Sequence, residues 1–352
     1  MAETVLKRIG PGRIVLILLS LCAFVLGLTL MKEGARSLAP QIEESLDLSG
    51  IGHSLGFGWL VAMLILSGSP IGAASLTFYD AEAINERSAL AMIVGSRVGA
   101  AFIVLAIGFI YVMRGRDRTR SLGVGLLSLV VSATTYLPAL PLGMVLLKSG
   151  ALEWATIPSD SAAYEAIKHI LEPVAQTSIG LLGHLGTFFA GLAVIIVSLN
   201  LFDRALPDME EAEEERKQLR RNLHRPWVMF IAGAAITLIS LSVTISLSIL
   251  VPLSQHRIVK QKTIVPYIMG ANITTLVDTL FAAAVMDNPE AVSIVLAGLG
   301  GIIFVSIMIL VAVYRRYENI MLAVSEWVMG SRRNLAIFMS ILALVPLVLL
   351  LA

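Results

Sequence analysis

Hydroxyl side chains cluster at two places in the sequence, each inside a stretch that is otherwise apolar. The first cluster, Ser67 and Ser69, lies in the stretch 57–79. The second cluster lies in the stretch 227–254 and contains Ser242, Thr244, Ser246 and Ser248. Hydroxyls, with backbone groups freed by a helix break, can bind an oxyanion or replace the water around a small cation. Both clusters are therefore candidates for a binding site, although such side chains in membrane helices also bond to backbone carbonyls or lie at helix contacts.

Two ionisable side chains, Arg97 and Asp278, lie well inside apolar runs that cover residues 88–113 and 263–286. An ionisable group at the centre of a membrane costs about 2.5–3.5 kcal/mol on insertion scales and is a functional-site hypothesis by default. Arg97 would present a fixed positive charge that grips an anion or substitutes for a bound sodium ion, and Asp278 would balance it. The alternative is a purely structural ion pair that locks the two halves of the chain together.

Asn272, Thr274 and Thr275 follow Gly270 in the second of these runs. Their amide carbonyl and two hydroxyls are oxygen ligands that suit a sodium ion, most directly at Asn272. The alternative is a helix contact made through small residues. The candidate substrate- or ion-binding set is therefore Ser67, Ser69, Arg97, Ser242, Thr244, Ser246, Asn272, Thr274, Thr275 and Asp278.

The composition indicates where these residues act. Of 352 residues, 57% are hydrophobic and 14% are charged, whereas a soluble domain has about 25% charged residues. The net charge of +1 gives no sign of a nucleic-acid partner, and a single cysteine, Cys22, excludes an internal disulfide or a cysteine metal cluster. The apolar residues form nine runs of membrane-span length. These runs are 14–31, 57–79, 88–113, 121–147, 175–202, 227–254, 263–286, 291–313 and 335–352.

The distribution of Lys and Arg shows that not all nine runs cross the membrane. With the N-terminus inside, nine crossings would place the arginines of residues 114–120 outside, against the tendency of basic residues to stay cytoplasmic. The runs 57–79 and 227–254 are interrupted by glycine, proline and serine, and broken backbone is tolerated where it lines a cavity. We therefore predict two re-entrant hairpins and seven crossings, in a multi-pass protein of the cell membrane with a cytoplasmic N-terminus.

The same assignment gives the two halves of the chain one order of elements, with opposite starting sides. The predicted fold is all-α integral membrane, with two inverted-topology repeats, each with a re-entrant hairpin and about three spanning helices, and one extra C-terminal helix. The predicted units are a first repeat (1–147), an extracytoplasmic loop (148–174), a second, inverted repeat (175–313), and a cytoplasmic segment with the final helix (314–352). A shift of 175 residues places Ser67 on Ser242 and Arg97 on Asn272.

Short segments of the chain resemble the sodium/phosphate cotransporter family. Residues 270–275, G-A-N-I-T-T, resemble its G-A-N-I-G-T-T signature without one glycine, and residues 28–38 resemble its L-M-x-E-G-L-x-x-L segment. The family has a Q-S-S-S motif 29 residues before the glycine of G-A-N. Gly95 is the position that the shift of 175 residues places on Gly270. Residues 66–69, L-S-G-S, begin 29 positions before Gly95, and residues 241–244, L-S-V-T, begin 29 positions before Gly270. The chain therefore resembles a divergent member of this family.

The resemblance implies a secondary active transporter that carries inorganic phosphate or a related anion by sodium-coupled symport and alternating access. Sodium would be the coupling ion, with no other cofactor, and the partners would be the lipid bilayer and a small anionic solute. Leu66 and Leu241 replace the family glutamines and Arg97 replaces an asparagine, which leaves the substrate and the coupling ion open. A sodium-independent anion carrier and a non-transporting scaffold or receptor that kept the fold are the alternatives. The sequence also leaves the oligomeric state open, a homodimer included.

An enzyme is the remaining class. Intramembrane hydrolases use serines and buried charges, but the sequence has neither an H-E-x-x-H frame nor a pair of aspartates on facing helices. We therefore predict that the protein is not an enzyme.

Overall fold

The computed structural model describes residues 11–46, 48, 50–152, 154, 162–205, 225–240, 242–255, 259–286 and 288–352. All regular secondary structure in these ranges is helical, which confirms the all-α prediction for them. The α-helices are α1 Pro11–Leu46, α2 Ile51–Ile65, α3 Ser69–Asp80, α4 Glu86–Ala100, α5 Phe102–Met113, α6 Arg118–Lys148, α7 Ala162–Ala205, α8 Pro226–Ser240, α9 Val243–Ser248, α10 Leu250–Gln255, α11 Gln261–Thr274, α12 Val277–Val285, α13 Pro289–Met308, α14 Tyr314–Gly330 and α15 Arg332–Leu351. A π-helical turn, Ile309–Val313, joins α13 to α14.

Within the described ranges, seven helical segments are long and apolar enough to cross a membrane. They are Gly12–Arg36, Glu86–Met113, Arg118–Lys148, Pro173–Ala205, Gln261–Val285, Pro289–Gly330 and Arg332–Leu351. Each overlaps one of the seven predicted crossings. A run of about 20 apolar residues in helical form satisfies all its backbone hydrogen bonds internally, which a membrane interior requires. The length and composition of these helices are those of a multi-pass membrane protein.

The two remaining apolar stretches are both broken helices. In the first, α2 ends where Leu66 adopts a left-handed conformation with φ of 56°, an uncommon conformation for a residue other than glycine. Helix α3 then starts at Ser69 with Pro70 in its first turn, where the fixed φ of proline suits a helix start. In the second, α8 ends at Ser240 and α9 starts at Val243. The breaks lie at the predicted positions, and the re-entrant course of the helix pairs stays a prediction.

Several elements differ from the sequence-based expectation. The runs 88–113 and 263–286 are each two helices, divided at Ala101 and at residues 275–276. In the second run, the Thr274 and Thr275 hydroxyls both donate to the Ala271 carbonyl, and such bonds to the preceding turn bend helices. Helix α7 starts at Ala162, inside the expected loop 148–174, and Gly183 kinks it with φ of 68°. Most of the expected loop 314–334 is helix α14.

The helices of the two halves start at equally spaced positions. Helices α2 and α8 both have 15 residues and start at Ile51 and Pro226, which are 175 positions apart. The same interval separates the starts of α4 and α11, at Glu86 and Gln261, and of α5 and α12, at Phe102 and Val277. The offset found in the sequence is thus also the offset of the helix boundaries.

Glycine contacts repeat with the same interval. Helix α2 packs against α4 because Gly58 lies on the Met92 carbonyl and Gly95 on the Leu55 carbonyl, with no room for a Cβ at either glycine. In the second half α8 packs against α11, and Gly233 lies on the carbonyl of Tyr267 and Gly270 on that of Phe230 in the same way. All four positions of the second half are those of the first half shifted by 175. Small residues that let helix backbones approach closely are typical of membrane helix contacts.

Candidate functional site

A cavity of about 230 Å³ lies where the two broken helices face α4, α6, α7 and α11. The first break contributes Ile65, Leu66, Ser67, Gly68 and Ser69, and α4 with the start of α5 contributes Arg97, Ala100, Ala101 and Ile103. The remaining lining residues are Ser132, Tyr136, Ile196, Leu199, Asn200, Phe202, Asp203, Ser242, Asn272 and Thr275. Six of the ten predicted site residues are therefore at one cavity.

The N-terminus of α3 borders the cavity through Ser67, Gly68 and Ser69. The first N–H groups of a helix have no partner within the helix, and they carry the positive end of its dipole. Glycine at position 68 lets this end approach α4, because a Cβ there would lie 2.9 Å from the Ser96 carbonyl oxygen. A helix N-terminus of this kind favours an anion.

Arg97 and Asp278 form the predicted ion pair. Nη2 of Arg97 lies 2.9 Å from Oδ1 of Asp278, and the two residues are only 3% and 8% exposed. The hydroxyl of Ser69 donates to Asp278, and Nη2 of Arg97 also contacts the Thr279 hydroxyl. The carboxylate thus joins the start of α3, α4 and the start of α12.

One nitrogen of the Arg97 guanidinium has no partner among the described residues. Its Nε is buried and has no hydrogen-bond acceptor among the described residues, although Arg97 lines the cavity. A buried donor without an acceptor costs about 1–3 kcal/mol. An oxyanion in the cavity is a group that could accept this bond.

Asn272 lines the cavity, but much of its hydrogen-bonding capacity is used by α6. Its Nδ2 donates to the Thr135 hydroxyl over 3.1 Å, and its Oδ1 accepts from the Ser132 hydroxyl over 3.2 Å. The Tyr136 hydroxyl donates to its backbone carbonyl. One lone pair of Oδ1 remains for a ligand. Thr275 also lines the cavity, and its hydroxyl donates to the Ala271 carbonyl over 2.9 Å.

Three predicted residues are not placed at the cavity wall. The Thr274 hydroxyl donates over 3.0 Å to the Ala234 carbonyl and so joins α11 to α8. The Ser246 hydroxyl accepts from Thr237 over 2.6 Å and lies 2.9 Å from the hydroxyl of Tyr267. Asp278 lies behind Arg97 rather than on the lining. The side chain of Thr244 lies outside the described part of the chain.

Four polar lining residues were not in the predicted set, and one of them, Asn200, had been interpreted as a helix-capping residue. Asp203 and Asn200 come from the last turns of α7, and Ser132 and Tyr136 come from α6. The spacing of each pair, three and four residues, places its members on one helix face. That spacing is the signal that could have identified them. Asp203 lies one position past the predicted apolar run, which ends at residue 202.

One enzyme-like pattern was overlooked when the sequence was searched for the frames of hydrolases. Residues 52–56 read G-H-S-L-G, which matches the G-x-S-x-G frame of serine hydrolases. That frame acts on a sharp strand-to-helix turn, which exposes its serine. Here the pentapeptide lies inside α2, and the buried Ser54 donates to the Leu48 carbonyl over 2.5 Å. The pattern does not form a nucleophile at this position.

Comparison with known proteins gives one match. The family model described as Na+/Pi-cotransporter matches residues 194–330. This segment contains Asp203, the second broken helix, Asn272 and Asp278. No curated protein and no solved structure matches the chain. Together with the seven apolar helices, the match supports a transporter in general terms. It supports membership of the chain in the Na+/Pi-cotransporter family, through residues 194–330.

Proposed function

We propose that the protein is a secondary active transporter that carries inorganic phosphate or a related oxyanion by sodium-coupled symport. The observation that carries the proposal is the shared position of Arg97 and the N-terminus of α3 on one cavity. Donors that suit an oxyanion are the Nε of Arg97, which has no acceptor among the described residues, the hydroxyl of Ser67, and the N–H groups at the start of α3, except at Pro70, which has none. Charge-assisted bonds of this kind are about twice as strong as neutral ones.

The size of the cavity favours a small solute. Its volume of about 230 Å³ is below the roughly 300–1,000 Å³ that is usual for pockets that hold drug-sized ligands. A tetrahedral inorganic anion with a coupling cation suits a cavity of this volume better than an organic anion of metabolite size does. The hydroxyl, amide and guanidinium groups of the wall are also richer in polar donors than a pocket for an apolar ligand.

Leucine at the position of the family glutamine changes the coordination that we expect. Leu66 lines the cavity and presents neither a donor nor an acceptor. Coordination of the anion would pass to Arg97, Ser67 and the α3 N-terminus, and Asn272 also lines the cavity. The positive charge of Arg97 would then bind the anion in place of the neutral amide of the family glutamine.

Alternating access requires two halves that can exchange positions around one site. The interval of 175 residues between helix starts and between glycine contacts supports two halves of common design. Their opposite orientation, the two re-entrant hairpins and the cytoplasmic N-terminus belong to the proposal. Both breaks border the cavity, through Ser67 and Ser242, as expected for sites built from discontinuous helices.

A non-transporting membrane protein is the second candidate. The closed bonding of the Arg97 and Asp278 pair, and of Asn272 with α6, favours it. Such a protein would keep the fold and leave the cavity without a solute.

Uptake of radiolabelled phosphate into proteoliposomes under an imposed sodium gradient tests the proposal. We expect wild-type protein to accumulate phosphate and Ser67→Ala to slow uptake severalfold. The matched control is Ser96→Ala, because the Ser96 hydroxyl donates within α4 to the Ile93 carbonyl over 2.7 Å and does not line the cavity. Absence of flux of phosphate, arsenate and sulfate under every imposed sodium and proton gradient would contradict transport and favour the second candidate.

A further inference from the structure

The cavity has a second charged group that the anion site does not use. Asp203 lines it from the last turn of α7. Among the residues that the structure describes, its carboxylate pairs with no Lys, Arg or His side chain, whereas Asp278 and Asp80 each have such a partner. A carboxylate in a membrane helix that lacks a basic partner is compensated by a cation or a proton.

We propose that Asp203 is the binding site of the coupling sodium ion, in a transporter that works as proposed above. The inference rests on that proposed function and identifies a residue that binds the cation. The sequence analysis predicted the sodium ion at Asn272 instead. A sodium ion needs several oxygens. The carboxylate of Asp203 supplies two of them, and the Ser242 hydroxyl lies 3.4 Å from Oδ2.

Asn200 supplies a further oxygen on the same face of α7. It lines the cavity three residues before Asp203, and residues at this spacing are neighbours on a helix surface. Its Nδ2 donates to the Ile196 carbonyl over 2.8 Å. The amide is thereby oriented with Oδ1 left as an acceptor for the cation.

The position of Ser242 also favours a cation. It follows the C-terminal end of α8, which stops at Ser240. The last carbonyls of a helix lack partners within the helix and carry the negative end of its dipole. The two breaks would then have opposite roles, since the N-terminus of α3 favours the anion and the C-terminus of α8 favours the cation. Sodium sites at discontinuous helices use freed carbonyls in this way.

This arrangement couples the two ions through charge. An anion that enters the cavity beside an ionised Asp203 meets a like charge in a medium of low dielectric constant, so binding is opposed. A sodium ion on Asp203 removes that opposition. By linkage, sodium then raises the affinity for phosphate, and phosphate raises the affinity for sodium by the same factor. Couplings of this kind range from about 5-fold to 150-fold, and we expect about 10-fold between sodium-free and sodium-saturated protein.

The test uses the full chain in proteoliposomes, with two assays of radiolabelled phosphate. The first is net uptake driven by a sodium gradient, and the second is exchange with phosphate trapped inside. Asp203→Asn keeps the shape of the side chain and removes its charge. We expect this variant to lose sodium-driven uptake while its exchange persists and no longer responds to replacement of sodium by choline. Asp203→Glu should keep sodium-driven uptake, with the half-saturating sodium concentration shifted severalfold, which shows that substitution here is tolerated.

Glu326→Gln is the matched control, because Glu326 is an exposed carboxylate on α14 that does not line the cavity. It should behave as wild type in both assays. Sodium-driven uptake by Asp203→Asn at the wild-type rate would overturn the inference and leave the proposed transport standing. A wild-type protein driven by protons and indifferent to sodium would overturn the assignment of sodium. Absence of both uptake and exchange in wild type would overturn the transport function, and the inference with it.

Discussion

Nη2 of Arg97 lies 2.9 Å from Oδ1 of Asp278, although 181 residues separate the two in the sequence. The pair joins α4 of the first half to the start of α12 in the second. Because both side chains are almost fully buried, each charge depends on the other. This relationship fixes where the halves meet. It also leaves the buried Nε of Arg97, a residue that lines the cavity, without an acceptor among the described residues.

Breaking the pair from one side should destabilise the protein more than removing both charges. Arg97→Gln and Asp278→Asn each leave an uncompensated buried charge, which typically costs about 3–5 kcal/mol. The double variant leaves none and should recover most of the thermal stability in detergent micelles. It should still transport poorly, because the guanidinium is gone. A double variant that transports at the wild-type rate would reduce the pair to a structural lock.

The glycines between α8 and α11 should not tolerate a methyl group. Gly270→Ala would press a Cβ against the Phe230 carbonyl, which is backbone and cannot rotate away. Overpacking of this kind costs about 1–3 kcal/mol or more, so we expect a lower yield of folded protein by size-exclusion chromatography. The control is Gly180→Ala, because a Cβ there meets nothing within 4 Å. Equal yields from the two variants would show that this helix contact is looser than described.

Two serines on α6 should differ in their effect although they are one turn apart. Ser132→Ala removes the donor to Oδ1 of Asn272 and should cost about 1 kcal/mol of stability, with weaker phosphate binding as the amide loses its orientation. The buried Ser128 hydroxyl has no partner among the described residues, so Ser128→Ala breaks no hydrogen bond seen there. Thermal unfolding and phosphate binding measured side by side should separate the two variants. Identical losses would argue against the Asn272 contact.

At the other end of α3, Asp80 joins three elements. It lies 3.0 Å from Nζ of Lys32 on α1 and accepts from Nδ2 of Asn288 over 3.3 Å, just before α13. Asp80→Ala leaves the half-buried ammonium without its partner and should cost about 1–3 kcal/mol. Glu33→Ala removes only an exposed pair with Arg36, for which about 0–1 kcal/mol is typical. Comparison of their unfolding temperatures at equal salt checks this difference, and a larger loss for the exposed pair would contradict it.

Much of the fold could be predicted because a membrane interior permits few backbone structures, chiefly long apolar helices. The seven long apolar helices of the described residues follow from runs of apolar residues, and the break at Leu66 follows from the glycine and proline beside it. The functional residues were harder to predict. Ser246 and Thr274 had the right chemistry, but their hydroxyls bond between α8, α9 and α11, since only the packed structure decides which way a helix side chain points.

The opposite error concerns Asp203 and Ser132. Asp203 was missed because it lies just past the predicted end of its apolar run, whereas α7 continues to Ala205. Ser132 was missed because α6 contains none of the segments that resemble the family. Its role arises from a contact with Asn272 that joins residues 140 positions apart. Long-range contacts of this kind leave no local trace in a single sequence.

Phosphate uptake by Arg97→Lys into proteoliposomes, beside wild type, tests the anion site most directly. Lysine keeps a positive charge for Asp278, so the fold is retained, but it lacks the planar fork and the Nε donor. A bond to a charged group contributes about 1.5–3 kcal/mol, so the account predicts that phosphate affinity falls by about 10-fold to 100-fold, with a smaller loss of thermal stability than in Arg97→Gln. Uptake by Arg97→Lys with wild-type affinity would contradict it.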